Sequence, residues 1–157
     1  MGPGTIRRMS KKAILDEEWQ AWRGFRRMAE IITGRIADDI TKATGLSAAD
    51  FSVLVHLSEA EDGFRRQRDL QTFLEWDRTR LSHQLTRMAG RGLIKRIGSA
   101  AGNGVQVEIT EEGSRLLRMA KPIHMDGVRI YFLSHLTEDE LLHLRNITGK
   151  LRNALLK

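Results

Sequence analysis

The chain of 157 residues contains no cysteine. That absence excludes disulfides, thiolate metal sites and a cysteine-based redox sensor. No apolar run approaches the ~20 residues of a membrane span. The five histidines are scattered, and His135 and His143 are too far apart to share one helical turn, so a metal site is not expected. There is no Ser-His-Asp order, phosphate-cradling glycine loop, nucleotide fingerprint, repeat or low-complexity tract. No catalytic residue, cofactor or metal is therefore assigned, and an enzymatic role is not indicated by the residues. The segment Met1-Gly-Pro-Gly-Thr-Ile-Arg-Arg8 lacks an apolar signal core. It reads as the start of a flexible basic tail over residues 1–15, and a cytoplasmic location is expected.

What the chain does have is positive charge and helical periodicity. Lys and Arg number 26 against 20 Asp and Glu, a net charge of +6. A basic balance favours nucleic acid or an anionic surface as partner. The charge is concentrated between Phe64 and Ile97. There, nine cations (Arg65, Arg66, Arg68, Arg78, Arg80, Arg87, Arg91, Lys95 and Arg96) stand against Asp69, Glu75 and Asp77. This one segment carries a surplus equal to that of the whole chain. With 41% apolar residues, the length suits a single domain with a modest core.

Apolar spacing predicts a long helix from Asp16 to about Thr44, with Leu15, Trp19, Trp22, Ala29, Ile32, Ile36 and Ile40 on one side. Asp16 is its expected N-cap and Gly45 its stop. A capping box at Ser47-Ala-Ala-Asp50 opens a second helix to about Ala60, expected to bury Phe51, Leu54, Val55 and Ser58. A third helix, about Arg68 to Glu75, buries Leu70, Phe73 and Leu74. Asp77 caps a fourth, whose Leu81, Leu85 and Met88 fall at i, i+4 and i+7. Its opposite face carries Thr79, Arg80, His83, Thr86 and Arg87, all able to bond bases or phosphates. Leu93 to Ile97 and Val105 to Ile109 read as a two-stranded wing. Thr110 caps a fifth helix to about Ser134, which Pro122 should bend or break. A capping box at Thr137-Glu-Asp-Glu140 opens the last helix, with Leu141, Leu144, Ile147, Leu151 and Leu155 along one face. The fold class is mainly α, a winged helix-turn-helix flanked by N- and C-terminal amphipathic helices. Two such terminal helices suggest packing across a two-fold axis, which palindromic DNA half-sites would match.

Four segments, Gly45-Leu-Ser-Ala-Ala-Asp-Phe-Ser-Val-Leu-Val55, Arg78-Thr-Arg-Leu-Ser-His-Gln-Leu-Thr-Arg-Met-Ala-Gly-Arg-Gly-Leu-Ile94, Ile109-Thr-Glu-Glu-Gly113 and Leu136-Thr-Glu-Asp-Glu140, resemble the MarR family of bacterial transcriptional regulators. The likeness is collinear from about Asp16 to Leu156. It implies one MarR-like domain over 1–157, with dimerisation helices at 16–44 and 111–157 and a winged-helix lobe at 46–110. It also implies an obligate homodimer on palindromic duplex DNA. A small-molecule pocket, often for aromatic acids or phenols, is implied between the dimer helices and the DNA-binding lobe. One departure stands out. The family's wing tip usually carries an Asp and an Arg, the Arg reaching the minor groove. Here Ala101 and Asn103 occupy those places, and no Lys or Arg occurs from Gly98 to Thr110.

Thr79, Arg80, Ser82 and His83 are the candidates for reading bases. Arg78, Arg87, Arg91, Lys95 and Arg96 are better suited to phosphates, which position a protein without specifying sequence. Trp19 and Trp22 could wall a ligand pocket, since pockets are mainly aromatic with few polar anchors; the competing role is core or dimer interface. Arg23 and Arg26 could hold a ligand carboxylate or be merely solvated. His56 could face the same cavity or be a satisfied core residue, and His124 is in the same position. The expected function is a ligand-responsive transcriptional regulator, read as a repressor. The uncharged wing keeps open an alternative: a MarR-like fold diverted from DNA, whose pocket binds or transforms a small metabolite.

Overall fold

The computed structural model describes residues 14–98 and 104–155. The basic tail before Ile14 and the wing-tip positions Ala101 and Asn103 lie outside the described residues. The first helix, α1, runs Asp16–Thr44. Its portion up to Ile31 forms one unit, and the chain from Ile32 onward a second; the two are taken separately.

In the first unit, α1 has the expected bounds, but Asp16 is its first helical residue rather than its N-cap. The free backbone N–H before it belongs to Leu15 and donates to Glu18 Oε2 at 2.9 Å. The carboxylates of the first turn still oppose the positive end of the helix dipole. Trp19, Trp22, Phe25 and Met28 are all exposed.

In the second unit, Ile36 and Ile40 of α1 enter the core. Gly45 ends the helix at φ 72°, a conformation glycine takes without steric cost. Helix α2, Ala48–Ser58, opens on a reciprocal capping box between Ser47 and Asp50. It buries Val53, Leu54 and Leu57. Phe51 and Val55 are only half-buried and Ser58 is exposed, so the buried face is rotated from the expected one. Nearly every position of this helix is small or apolar, and periodicity alone could not orient it. A short strand follows, β1 at Phe64–Arg66, then α3 at Gln67–Leu74. Leu70 is buried as expected, whereas Phe73 is 54% exposed.

Helix α3 stops at Glu75, which adopts the left-handed φ of 53°. Trp76 N–H donates back to Gln71 O at 3.3 Å, tightening the turn into α4, Arg78–Gly90. Asp77 caps α4 by accepting from Arg80 N–H at 2.8 Å. Leu81, Leu85 and Met88 have no exposed surface. Full burial of three such side chains contributes roughly 1.5–3 kcal/mol each and fixes which face of α4 looks outward.

The wing is larger than two strands. Strands β2 (Ile94–Gly98) and β3 (Val105–Ile109) pair as expected. β1 adds antiparallel to the other edge of β3, giving the order β1-β3-β2. Val107, central in β3, is completely buried. Thr110 caps α5, Glu111–Tyr131, by accepting from Gly113 N–H at 3.0 Å. Pro122 does not break this helix, although its missing N–H removes one backbone bond and its ring crowds the carbonyl four residues earlier. α5 ends at Tyr131, short of the expected Ser134, and a 3-10 turn at Leu133–His135 follows. Thr137 and Glu140 form the expected capping box ahead of α6, Glu138–Leu155.

Candidate nucleic-acid interface and ligand cavity

The turn α3–Glu75–Asp77–α4 with its adjoining sheet is a winged helix-turn-helix. Because its apolar stripe is wholly buried, α4 turns Arg78, Thr79, Arg80, His83, Thr86 and Arg87 outward, and all six are exposed. Ser82 is half-buried. Arg80 sits over the Trp76 ring with its guanidinium carbon 4.3 Å from the centroid. Among the described residues, Arg78, Arg80 and Arg66 have no ion-pair partner.

Beside α4, a cleft of about 420 Å³ is lined by Arg66, Arg68, Arg78 and Arg96, with Gln67, Gln71 and Ser82. The four arginines of the lining come from β1, α3, α4 and β2. Arg96 is steered into place by donating to Thr86 Oγ1 and Gln67 Oε1, both at 3.1 Å. Arg68 approaches Asp69 at 3.6 Å with both side chains largely exposed, an arrangement that contributes little. A cleft so lined favours a polyanion, through both charge and the fork geometry of arginine. Arg66, Arg68, Gln67 and Gln71 were not singled out by sequence. The cation count between Phe64 and Ile97 contained the signal, but strand β1, which brings Arg66 to the cleft, did not show in the pattern.

Lys95 and Arg96 are exposed on β2. Arg91 is differently placed. One terminal nitrogen lies 2.6 Å from Asp50 Oδ2 and the other 2.8 Å from Gly45 O, so it ties the end of α4 to the start of α2. Asp50 also receives Gln84 Nε2 at 2.7 Å on its other oxygen. Gln84 in turn accepts from Arg87. Removing one partner of such a buried charge costs several kcal/mol where both members are desolvated; here Arg91 is 45% exposed, so the loss would be smaller.

A second, smaller cavity of about 170 Å³ lies between α1, α2 and α5, lined by Ile36, Ile40, Phe51, Ser52 and His124 among others. The His124 ring stacks on Phe51 with centroids 5.1 Å apart. His56 lies outside this lining: its Nδ1 is 2.8 Å from Ser52 O, and its ring is 5.9 Å from that of Phe73. Trp19, Trp22, Arg23 and Arg26 belong to the other unit. There Trp22 packs beside Phe25, Arg23 lies 5.9 Å from the Trp19 ring centroid, and Arg26 pairs with Glu30 at 3.2 Å. Among the described residues, no group of three or more His, Cys, Asp or Glu is placed to hold a metal ion, and no helix is long and apolar enough to cross a membrane.

Solved structures share this architecture. AbsC of Streptomyces coelicolor, a MarR family transcriptional regulator, is 30% identical, with 92% of this chain and 97% of that one covered and a TM-score of 0.84. Sco3205 of the same organism, a MarR family regulator solved in complex with DNA, is 24% identical over 95% of this chain and 94% of its own, at a TM-score of 0.87. The organohalide-sensing regulator RdhR-CbdbA1625, in its 2,4-dichlorophenol-bound form, is 20% identical over 90% and 83%, at 0.79. No family sequence profile and no curated protein sequence matches the chain. The fold is that of a winged-helix regulator. The chain belongs to the MarR family of transcriptional regulators.

Proposed function

We propose that the protein is a cytoplasmic, ligand-responsive repressor that binds palindromic duplex DNA as a homodimer. The observation that carries this reading is the division of α4. Leu81, Leu85 and Met88 are completely buried, while Arg78, Thr79, Arg80, His83, Thr86 and Arg87 are outward beside a four-arginine cleft. Arg80, Thr79, Ser82 and His83 would read base edges in the major groove. Arg78, Arg87, Lys95, Arg96 and the cleft would take phosphates. That Sco3205 was solved on DNA supports the same use of this lobe.

Ligand response is supported by the α1–α2–α5 cavity. Its volume, about 170 Å³, is below the ~300–1,000 Å³ of drug-sized sites, so it suits a single-ring aromatic acid or phenol. RdhR-CbdbA1625 with bound 2,4-dichlorophenol is consistent with that chemistry. Ala48, Phe51 and Ser52 line the cavity, and Asp50 of the same turn holds Gln84 and Arg91. A ligand that shifts this turn changes how α4 is held. Coupling is then a population shift toward dimers whose reading helices no longer fit the half-site spacing.

A competing reading, a pocket-based protein diverted from DNA, draws on the lack of Lys and Arg from Gly98 to Thr110. Fluorescence anisotropy on DNA flanking the protein's own gene, with a salt titration, separates the two. The repressor reading expects saturable, sequence-dependent binding that weakens with salt and is relieved by a phenol. No sequence preference on such DNA, together with saturable binding of a small aromatic molecule, would replace it with the pocket-based one.

A further inference from the structure

We propose that Asp50 is a positioning residue for DNA contact: through Gln84, its buried carboxylate holds the Arg87 guanidinium in place on the outer face of α4. This rests on the reading of α4 as the DNA-facing helix. Asp50 is 2% exposed and Gln84 3%, and the two lie 34 residues apart in sequence. Asp50 Oδ2 accepts from Ser47 N–H at 2.9 Å and from Arg91 at 2.6 Å. Oδ1 accepts from Gln84 Nε2 at 2.7 Å.

A carboxylate can only accept, so the amide NH₂ of Gln84 must face it. That leaves Gln84 Oε1 turned the other way, where it accepts from Arg87. The charge on α2 thus decides which end of an amide on α4 is offered to Arg87. With Asn at position 50, the side chain could donate, and the Gln84 amide could then turn its NH₂ toward a cation. Arg87 spends one N–H on Gln84 and keeps others of its five donors for a phosphate. A guanidinium already anchored loses less rotamer freedom on meeting that phosphate. The buried pair also explains why a polar amide sits on the core side of a helix whose other inward residues are Leu81, Leu85 and Met88.

The test uses the full chain and a labelled random-sequence duplex of about 30 base pairs at about 50 mM salt, because a phosphate contact needs no operator. Arg87→Ala, Asp50→Asn, Gln84→Met and the double variant Asp50→Asn/Arg87→Ala are compared by anisotropy, with folding checked by circular dichroism. The expected result is that both Asp50→Asn and Gln84→Met weaken binding and flatten the salt dependence as Arg87→Ala does, by about 0.9 in slope for each lost phosphate contact. The double variant should match Arg87→Ala within about twofold, since the two residues act through one contact. Fold-losses that multiply in the double variant, or Gln84→Met or Arg87→Ala binding like the parent, would overturn the proposal and leave Asp50 only a fold-stabilising role. If Asp50→Asn does not fold, the cycle of Gln84→Met with Arg87→Ala decides by the same criteria. If the parent itself ignores the duplex, the DNA reading of α4 fails first and takes this proposal with it.

Discussion

The guanidinium carbon of Arg80 stands 4.3 Å from the centre of the Trp76 ring, so the turn of the helix-turn-helix provides a platform for a side chain at the tip of α4. A cation over an indole is held by about 0.5–1 kcal/mol at an exposed site, enough to bias a rotamer without preventing its redirection toward a base. Arg80→Ala should weaken specific binding by roughly 1–3 kcal/mol and relax base preference at one position per half-site. Binding-site selection with the variant and the parent checks this; identical selected sequences would remove Arg80 from the reading set.

The left-handed Glu75 makes a second, purely structural prediction. A non-glycine residue at φ 53° carries backbone strain that glycine lacks. Glu75→Gly should therefore leave stability unchanged or raise it, by up to about 1 kcal/mol in urea unfolding. Gly113→Ala should do the opposite. Its added Cβ would lie 2.2 Å from the Leu93 carbonyl oxygen, so the start of α5 would have to move off the strand. Unfolding midpoints shifting in the reverse sense would mean that the junctions are packed differently.

Acid should loosen the C-terminal helix. The backbone N–H of Thr137, and then its hydroxyl, hold the Glu140 carboxyl below its ordinary value. A depressed folded-state value means that the stabilisation is complete above the unfolded carboxylate range and is lost as pH falls through the folded value. Melting temperature should thus decline below about pH 4, and Glu140→Gln should show a shallower decline over that range. Parallel pH profiles for the two proteins would show that this cap does not contribute.

The proposed homodimer is checked by sedimentation. Among the described residues α6 buries no side chain, and Leu142, Ile147, Leu151 and Leu155 are exposed. Such a row of large apolar groups is unusual on a monomer surface. The protein should sediment as a dimer at micromolar concentration. The double variant Ile147→Glu/Leu151→Glu should sediment as a monomer or aggregate. A monomeric parent would contradict the dimer reading.

What sequence could disclose depended on how local each cause was. The bounds of α1 and α4 were readable because apolar spacing, Asp77 and Gly45 act within a few residues of themselves. β1 was not, because Phe64-Arg-Arg66 has no strand pattern of its own and becomes a strand by pairing with Gln106 to Glu108, where tertiary context overrides propensity. Arg91 read as a phosphate contact like its neighbours; its partner Asp50 lies 41 residues earlier. Of the lining of the small cavity, the sequence offered His124 alone as a candidate. The lining combines Ile36, Phe51 and His124, whose meeting is set by packing of three helices rather than by any spacing.

The placement of β1 has a mechanical consequence. Arg66 ends the strand and Gln67 begins α3, with no residue between to act as a hinge. β2 follows α4 after only the Arg91–Leu93 turn, and β3 is clasped between the two. The sheet is therefore welded to both helices of the reading motif. The base of the sheet is thus built to move with the two helices rather than as a separate arm.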